Sequence, residues 1–220
     1  MKNKEISYEI IDFSGETNVQ FRTSVDPGSY IPTHWHRAIE IIYMQEGSLD
    51  VTVESESFTI HEGDCILVNG NVLHSTKCTA PNTAILLQIP LDFMAKYIPD
   101  LGQLIFLWDY RTEDPVKKTK LMMLKTTLEQ LQVINDIRPD GYLLRFNSLI
   151  FELLFQLYHN FSVKVFHQNI NQRQKEMDRL DPVLNYIAEH YKEPISLDEI
   201  ADIACLQTGY FCRFFKKKMG

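Results

Sequence analysis

The stretch that decides the fold is residues 28–47, Gly28-Ser29-Tyr30-Ile31-Pro32-Thr33-His34-Trp35-His36-Arg37-Ala38-Ile39-Glu40-Ile41-Ile42-Tyr43-Met44-Gln45-Glu46-Gly47. Successive side chains of a strand point to opposite faces, and His34, His36 and Glu40 share one parity, so all three can face one side. Downstream, Gly63 begins Gly-Asp-Cys-Ile-Leu-Val-Asn-Gly-Asn-Val-Leu-His, which ends at His74. Two histidines on one strand, one carboxylate and a third histidine form a facial donor set that suits a divalent metal. The same residues can instead hydrogen-bond a small-molecule ligand, or one another as a polar core.

The surroundings of this stretch are strand-like as far as about residue 90. Leu49, Val51 and Val53 alternate with polar residues, the pattern of a half-buried strand. Short apolar runs recur at Ile39–Met44, Phe58–Ile60, Cys65–Val68 and Ala84–Ile89, punctuated by Gly28, Gly47, Gly63 and Asn69-Gly70-Asn71. Many short strands at such spacing predict a mainly β sandwich or small barrel. Trp35 offers either a flat apolar face at the barrel mouth or ordinary packing. Arg22, one strand earlier, is a candidate for an anionic or hydroxylated ligand or for a surface ion pair. The expected pocket therefore comprises Arg22, His34, Trp35, His36, Glu40 and His74, with His34, His36, Glu40 and His74 as the candidate metal ligands.

Beyond about residue 100 the period becomes helical. Asp114 can cap a helix and Pro115 can open it. Leu121, Leu124, Leu128 and Leu131 then form a row, and Tyr142, Phe146, Leu149, Ile150, Leu153, Leu154 and Leu157 a wider apolar face. These surfaces can cover the barrel or form a dimer contact that includes the leucine row. The polar run within 162–180 reads as a linker. The expected organisation is a barrel over 1–100, a helical packing or dimerisation region over 101–161, the linker, and a compact helical segment over 181–220.

That last segment opens with Asp181-Pro182, a cap and a first-turn proline, followed by an apolar face of Val183, Leu184, Ile187, Ala188 and Tyr191. Ser196-Leu197-Asp198-Glu199 is a capping box, with Leu197, Ile200, Ala201 and Ala204 expected inside. After a tight turn at Cys205-Leu206, a helix from about Thr208 is expected to bury Tyr210, Phe211, Phe214 and Phe215. Arg213, Lys216, Lys217 and Lys218 fall mostly on its outside. Helix, short turn and basic helix is an arrangement that reads DNA. Gln207, Thr208, Gly209 and Arg213 are the candidates at base edges and Lys216 and Lys217 the candidates at phosphates, with Tyr210 also counted among the DNA-binding residues.

Composition bounds these readings. The chain has 220 residues, enough for one large or two modest domains. Hydrophobic residues at 45% and charged residues at 23% exclude a mainly disordered chain. No stretch approaches the roughly 20 apolar residues of a membrane helix, and no apolar run follows the first residues, so no membrane span or secretory leader is expected. The four cysteines show no metal-finger or redox spacing and suggest the reduced thiols of a cytoplasm. The net charge of −7 argues against a non-specific nucleic-acid coat, but the charge is uneven. Residues 1–100 hold 14 acids and 6 bases, whereas from Thr208 onward there are four bases and no acid.

The first stretch resembles the cupin family, matching its pattern G-x5-H-x-H-x3-E-x6-G at every position. The second is similar to the pattern G-x5-P-x-G-x2-H-x3-N, with Asn69 in place of Pro, Asn71 in place of Gly and Cys78 in place of Asn. The resemblance implies a small β-barrel that holds a divalent metal (Zn, Ni, Mn or Fe) on His34, His36, Glu40 and His74, or a metal-free effector. Residues 181–220 resemble the DNA-binding domain of AraC family regulators through Ile195-Ser196-Leu197, Ala201, Tyr210-Phe211, Arg213 and Phe215-Lys216-Lys217. Gln207 stands where that family usually has Ser, and the segment corresponds to the first of the family's two helix-turn-helix units, so the chain is expected to be a fragment or truncated form.

Together the resemblances imply a cytoplasmic, ligand-responsive transcription regulator. It would be a homodimer on promoter DNA, with a sugar as the effector class the family suggests. The alternatives are a metal-dependent cupin enzyme, which gives residues 181–220 no role, and a sensory and dimerisation module without DNA affinity.

Overall fold

A computed structural model of the chain describes residues 7–13, 15–165, 179–180, 182–184, 186–187 and 190–219. Most of the expected linker, Asp181, Ala188, Gly220 and the side chain of Lys218 lie outside the described residues. The chain divides into two compact units, residues 9–165 and residues 1–8 with 166–220. Barrel and helical region thus share one unit.

In the larger unit, β3 (Tyr30–Trp35), β8 (His74–Lys77), β5 (Ser48–Val53) and β6 (Glu56–His61) pair antiparallel in that order. A second antiparallel sheet runs β2 (Gln20–Asp26), β9 (Asn82–Pro90), β4 (Ala38–Glu46), β7 (Cys65–Val68). The period-two alternation of each strand sorts its residues into layers. Ile42 and Met44 of β4, Ile66 of β7 and Ala84 of β9 meet Leu49, Val51 and Ile60 of the other sheet in an interior cluster. Ile39, Ile41, Cys65, Ile85, Leu87 and Ile89 point the other way, into a second cluster shared with the helices. Strand β4 is therefore covered on both faces, which explains why it is apolar almost throughout and why its single internal charge, Glu40, needs partners.

The glycine that closes the first stretch has a steric reason. Gly47 has φ of +79°, and a Cβ there would lie 2.8 Å from the Pro81 carbonyl oxygen. Only glycine fits both the left-handed conformation and the close approach.

Helix α1 (Leu91–Ala95) follows β9, and β10 (Leu104–Phe106) precedes the long α2 (Pro115–Ile137). Asp114 caps α2 as expected, its carboxylate accepting from the N–H groups of Val116 and Lys117 at 2.8 and 3.1 Å. Leu121, Leu124, Leu128 and Leu131 are all buried against the outer face of the second sheet and against Phe146, Leu149, Ile150 and Leu153 of α3 (Tyr142–Gln156). The leucine row is thus covered by its own chain. A wider helical turn, Leu157–Phe161, leads into β11 (Ser162–Lys164), which pairs antiparallel with β10. The expected linker therefore begins inside a strand, because Ser162–Lys164 can satisfy its backbone against Leu104–Phe106.

The smaller unit contains β1 (Ser7–Tyr8), a helical stretch through buried Leu180 and Val183, α4 (Leu197–Ile203) and α5 (Thr208–Met219). Ser196 caps α4 by accepting from the Glu199 N–H at 3.2 Å. The reciprocal half of the capping box is absent, because the Glu199 carboxylate accepts instead from the Tyr186 hydroxyl. Ala201, Ala204, Phe211 and Phe214 are buried. Leu197, Tyr191 and Tyr210, expected inside, are exposed, Tyr210 at 50%. Cys205 takes φ of +53° in the turn, and the Leu206 N–H bonds the Ala201 carbonyl, which ends α4. Among the described residues no helix is long and apolar enough to cross a membrane.

Candidate functional site

The larger unit gathers His34, His36, Glu40 and His74 at one end of its interior. His34 lies directly across from His74 in the β3–β8 register, after a shift between Ile31 and His34. His36 follows the end of β3, and its carbonyl accepts from the Asn71 N–H at 2.9 Å. Asn71 has φ of +63°, so it occupies the left-handed conformation that a glycine would otherwise supply. Glu40 lies opposite Gln88 on the interior face of β4. The three rings stand close, with centroids of His34 and His74 4.1 Å apart and of His36 and His74 4.9 Å apart.

Each imidazole is held by its own neighbourhood. Nδ1 of His34 bonds the Pro32 carbonyl at 2.8 Å, Nδ1 of His36 the Ala38 carbonyl at 3.0 Å, and Nδ1 of His74 the Val72 carbonyl at 2.9 Å. A carbonyl only accepts, so each Nδ1 carries a proton and each Nε2 is turned toward the cluster. Such backbone partners are what orients metal-ligating histidines. Nε2 of His36 lies 3.2 Å from Glu40 Oε2, which also accepts from Gln88 Nε2 at 2.7 Å. Nε2 of His74 is buried without a hydrogen-bond partner and lies 3.9 Å from Glu40 Oε1.

The electrostatics follow from this packing. Burial alone would raise the Glu40 carboxyl, but hydrogen bonding with His36 and Gln88 and the electrostatic influence of the two neighbouring imidazoles together hold it down at about 2. Burial pushes His74 down to about 4 against the opposing pull of Glu40, so its ring stays neutral. The site thus keeps an ionised carboxylate beside an orphaned imidazole lone pair inside a sandwich.

This donor set fits a divalent cation. Two donors about 2.1 Å from one ion, at roughly 90–109° to each other, lie about 3.0–3.4 Å apart. The 3.2 Å separation of His36 Nε2 and Glu40 Oε2 falls in that range. The ligand atoms of the three histidines lie within 4.8 Å of one another, so a pair at that limit has to close by about 1.4 Å or more to share an ion in that geometry.

The remaining expected residues fall elsewhere. Trp35 sits between the two histidines in sequence, so strand alternation turns it to the opposite face, where it is 2% exposed. It packs and offers no face at the mouth. Arg22 is exposed on the edge strand β2, registered with Leu86, one row along from the pair Gln20 and Gln88. It shares the interior side of the sheet but stands outside the histidine cluster. Two contributors escaped the sequence reading. Gln88 was visible as the one polar residue of the run Ala84–Ile89, whereas Glu9, whose carboxylate reaches His34, lies in an N-terminal segment with no motif.

In the smaller unit, Gln207 supplies its carbonyl to the N–H groups of Tyr210 and Phe211 at the start of α5. Thr208 donates its hydroxyl to the Asp198 carboxylate at 2.6 Å. Gln207, Gly209, Tyr210, Arg213, Lys216 and Lys217 are exposed, on a helix whose Phe211 and Phe214 are buried.

The profile of the cupin domain matches residues 21–90. The match covers His34, His36, Glu40 and His74 and the strands around them. The chain is also similar to named regulators. One is the uncharacterised HTH-type transcriptional regulator YdeC of Bacillus subtilis, 24% identical over 246 aligned positions that cover 100% of this chain and 79% of the relative. Another is the probable transcriptional regulator LumQ of Photobacterium leiognathi, 26% identical, covering 85% of this chain and 68% of the relative. A solved RmlC-like cupin from Shewanella frigidimarina is 26% identical over 34% of this chain and 70% of its own, with a TM-score of 0.31. The curated relatives are regulators, in line with the expectation of a regulator over an enzyme.

Proposed function

We propose that this chain is a cytoplasmic, ligand-responsive transcription regulator of the AraC type. Its cupin domain takes a small-molecule effector, and α4 and α5 meet promoter DNA. The carrying observation is that one chain joins a built, buried donor cluster to a helix, turn and basic helix with exposed Arg213, Lys216 and Lys217. In this reading α5 enters the major groove, Arg213 reads a base edge and the lysines bind phosphates. An effector acts only if it binds two states of the protein with different affinity. A sugar is the effector class suggested by the family resemblance. Homodimerisation is part of the reading, supported by the exposed Met122 and Met123 of α2 and Leu144 and Phe155 of α3, apolar residues on helix sides that the sheet does not cover.

A second reading of the same pocket is favoured by the convergence of three Nε2 atoms and one carboxylate. It places a divalent ion (Zn, Ni, Mn or Fe) on His34, His36, Glu40 and His74. Such an ion supplies a Lewis-acid centre for an oxygen atom of the effector, while the backbone carbonyls and Gln88 keep the ligands aimed.

The test is fluorescence anisotropy of DNA from upstream of the protein's own gene against a scrambled duplex of equal length. Preference for the former, with affinity falling as salt rises, supports the regulator. Equal or absent binding of both would remove it.

A further inference from the structure

The cluster has a second carboxylate that the cupin motif does not include. Glu9 lies in an extended segment fixed beside β3, its N–H bonded to the Trp35 carbonyl at 2.9 Å. Its Oε2 is 3.4 Å from His34 Nε2 and 4.0 Å from His36 Nε2. The Glu9 side chain is 44% exposed and that of Glu40 7%, so the two carboxylates flank the imidazoles from the solvent side and from the interior.

Distance and charge point the same way. The 3.4 Å separation is what two donors on one ion adopt, as for His36 and Glu40. Bound to a metal, imidazoles contribute no charge, so Glu40 alone would leave a divalent ion with one uncompensated charge in a largely buried site, and a second carboxylate would cancel it. Three imidazoles and two carboxylates are also an ordinary donor set for a first-row divalent metal.

We propose that Glu9 is a further metal ligand, contributed by the N-terminal segment, which closes the histidine cluster on its solvent side. The proposal rests on the divalent-ion reading above. It makes retention of the ion and ordering of residues 9–13 depend on each other. An ion-free chain holds this segment through its backbone bond to Trp35, the pair of Glu9 with His34 and the Gln20 side-chain bond to the Asp12 carbonyl, whereas a loaded chain adds an anchor through the metal.

The experiment strips the full chain of metal and titrates Zn2+ and Co2+ into wild type, Glu9→Gln and Glu9→Ala. Thermal unfolding checks that the variants fold. Both variants are expected to bind Zn2+ about 10–100-fold more weakly, a loss of the size an altered metal shell produces. The visible absorption of bound Co2+ is expected to strengthen in the variants as the coordination number drops. Hydrogen exchange of residues 9–13 is expected to slow with Zn2+ in wild type only. If wild type binds both ions and the variants match it in affinity, Co2+ spectrum and exchange, Glu9 is no ligand and the four-residue metal reading stands. If wild type takes up neither ion, the metal reading and the role of Glu9 fall together.

Discussion

The histidine cluster and the basic side of α5 are built on opposite terms. In the cluster every imidazole is tied through Nδ1 to a backbone carbonyl, Glu40 is held by Gln88, and the histidines are buried. On α5, Arg213, Lys216 and Lys217 stand exposed, and only the opposite side of the helix is fixed, by Phe211 and Phe214. A preorganised site declares its ligand chemistry through the groups it leaves unsatisfied, here the Nε2 of His74. An exposed basic helix declares only a preference for anions, and its specificity arises when it is pressed against a groove.

The largest effect expected from that contrast is at His74. His74→Ala removes the orphaned donor and should weaken Zn2+ binding by more than the roughly 100-fold upper range of an outer-partner change, measured by competition with a chelating dye. Circular dichroism should show the sandwich intact. Gln88→Leu keeps the ligands but frees Glu40, and should weaken Zn2+ binding about 10–100-fold. His74→Ala binding as wild type does would mean that His74 is no metal ligand, and Gln88→Leu doing so would mean that Gln88 does not aim Glu40 at the ion.

On the other side of the comparison, Arg213→Ala should weaken binding to the cognate promoter by about 1–3 kcal/mol and narrow its margin over scrambled DNA. Lys216→Ala should have the smallest effect, a loss similar on both duplexes and a salt slope reduced by about 1. If Arg213→Ala and Lys216→Ala lower affinity for both duplexes alike, α5 is an electrostatic surface and reads no bases.

How much of this was legible in the sequence follows the same division. The clustering of His34, His36, Glu40 and His74 was readable because a strand's period of two and the spacing from Gly28 to Gly47 leave little freedom, and the register then places His34 across from His74. The cap of α2 was readable because Asp114-Pro115 acts locally. What failed depended on tertiary cover. The leucine row looks the same in sequence whether a sheet or a second subunit covers it, and the sheet does. Trp35 was open between a ligand-facing ring and packing, and it is buried at 2% exposure. Leu197 and Tyr210 are apolar at helical spacing yet exposed, because Ala201, Ala204, Phe211 and Phe214 already fill the interior of the short unit. Ser162–Lys164 is too short to announce itself as a strand without Leu104–Phe106. Glu9 was illegible because only the folded path of its segment brings it to His34.

The central claim is that occupancy of the cupin pocket changes the affinity of the helix-turn-helix for DNA. Anisotropy titrations of the promoter duplex, run with Zn2+ and with a panel of monosaccharides, test it in wild type and in a variant carrying both His34→Ala and His74→Ala. At least one probe is expected to shift the wild-type Kd by about 5-fold or more, the range of typical allosteric coupling, and to leave the variant unmoved. A Kd that no probe shifts, or that shifts equally in the variant, would contradict the account.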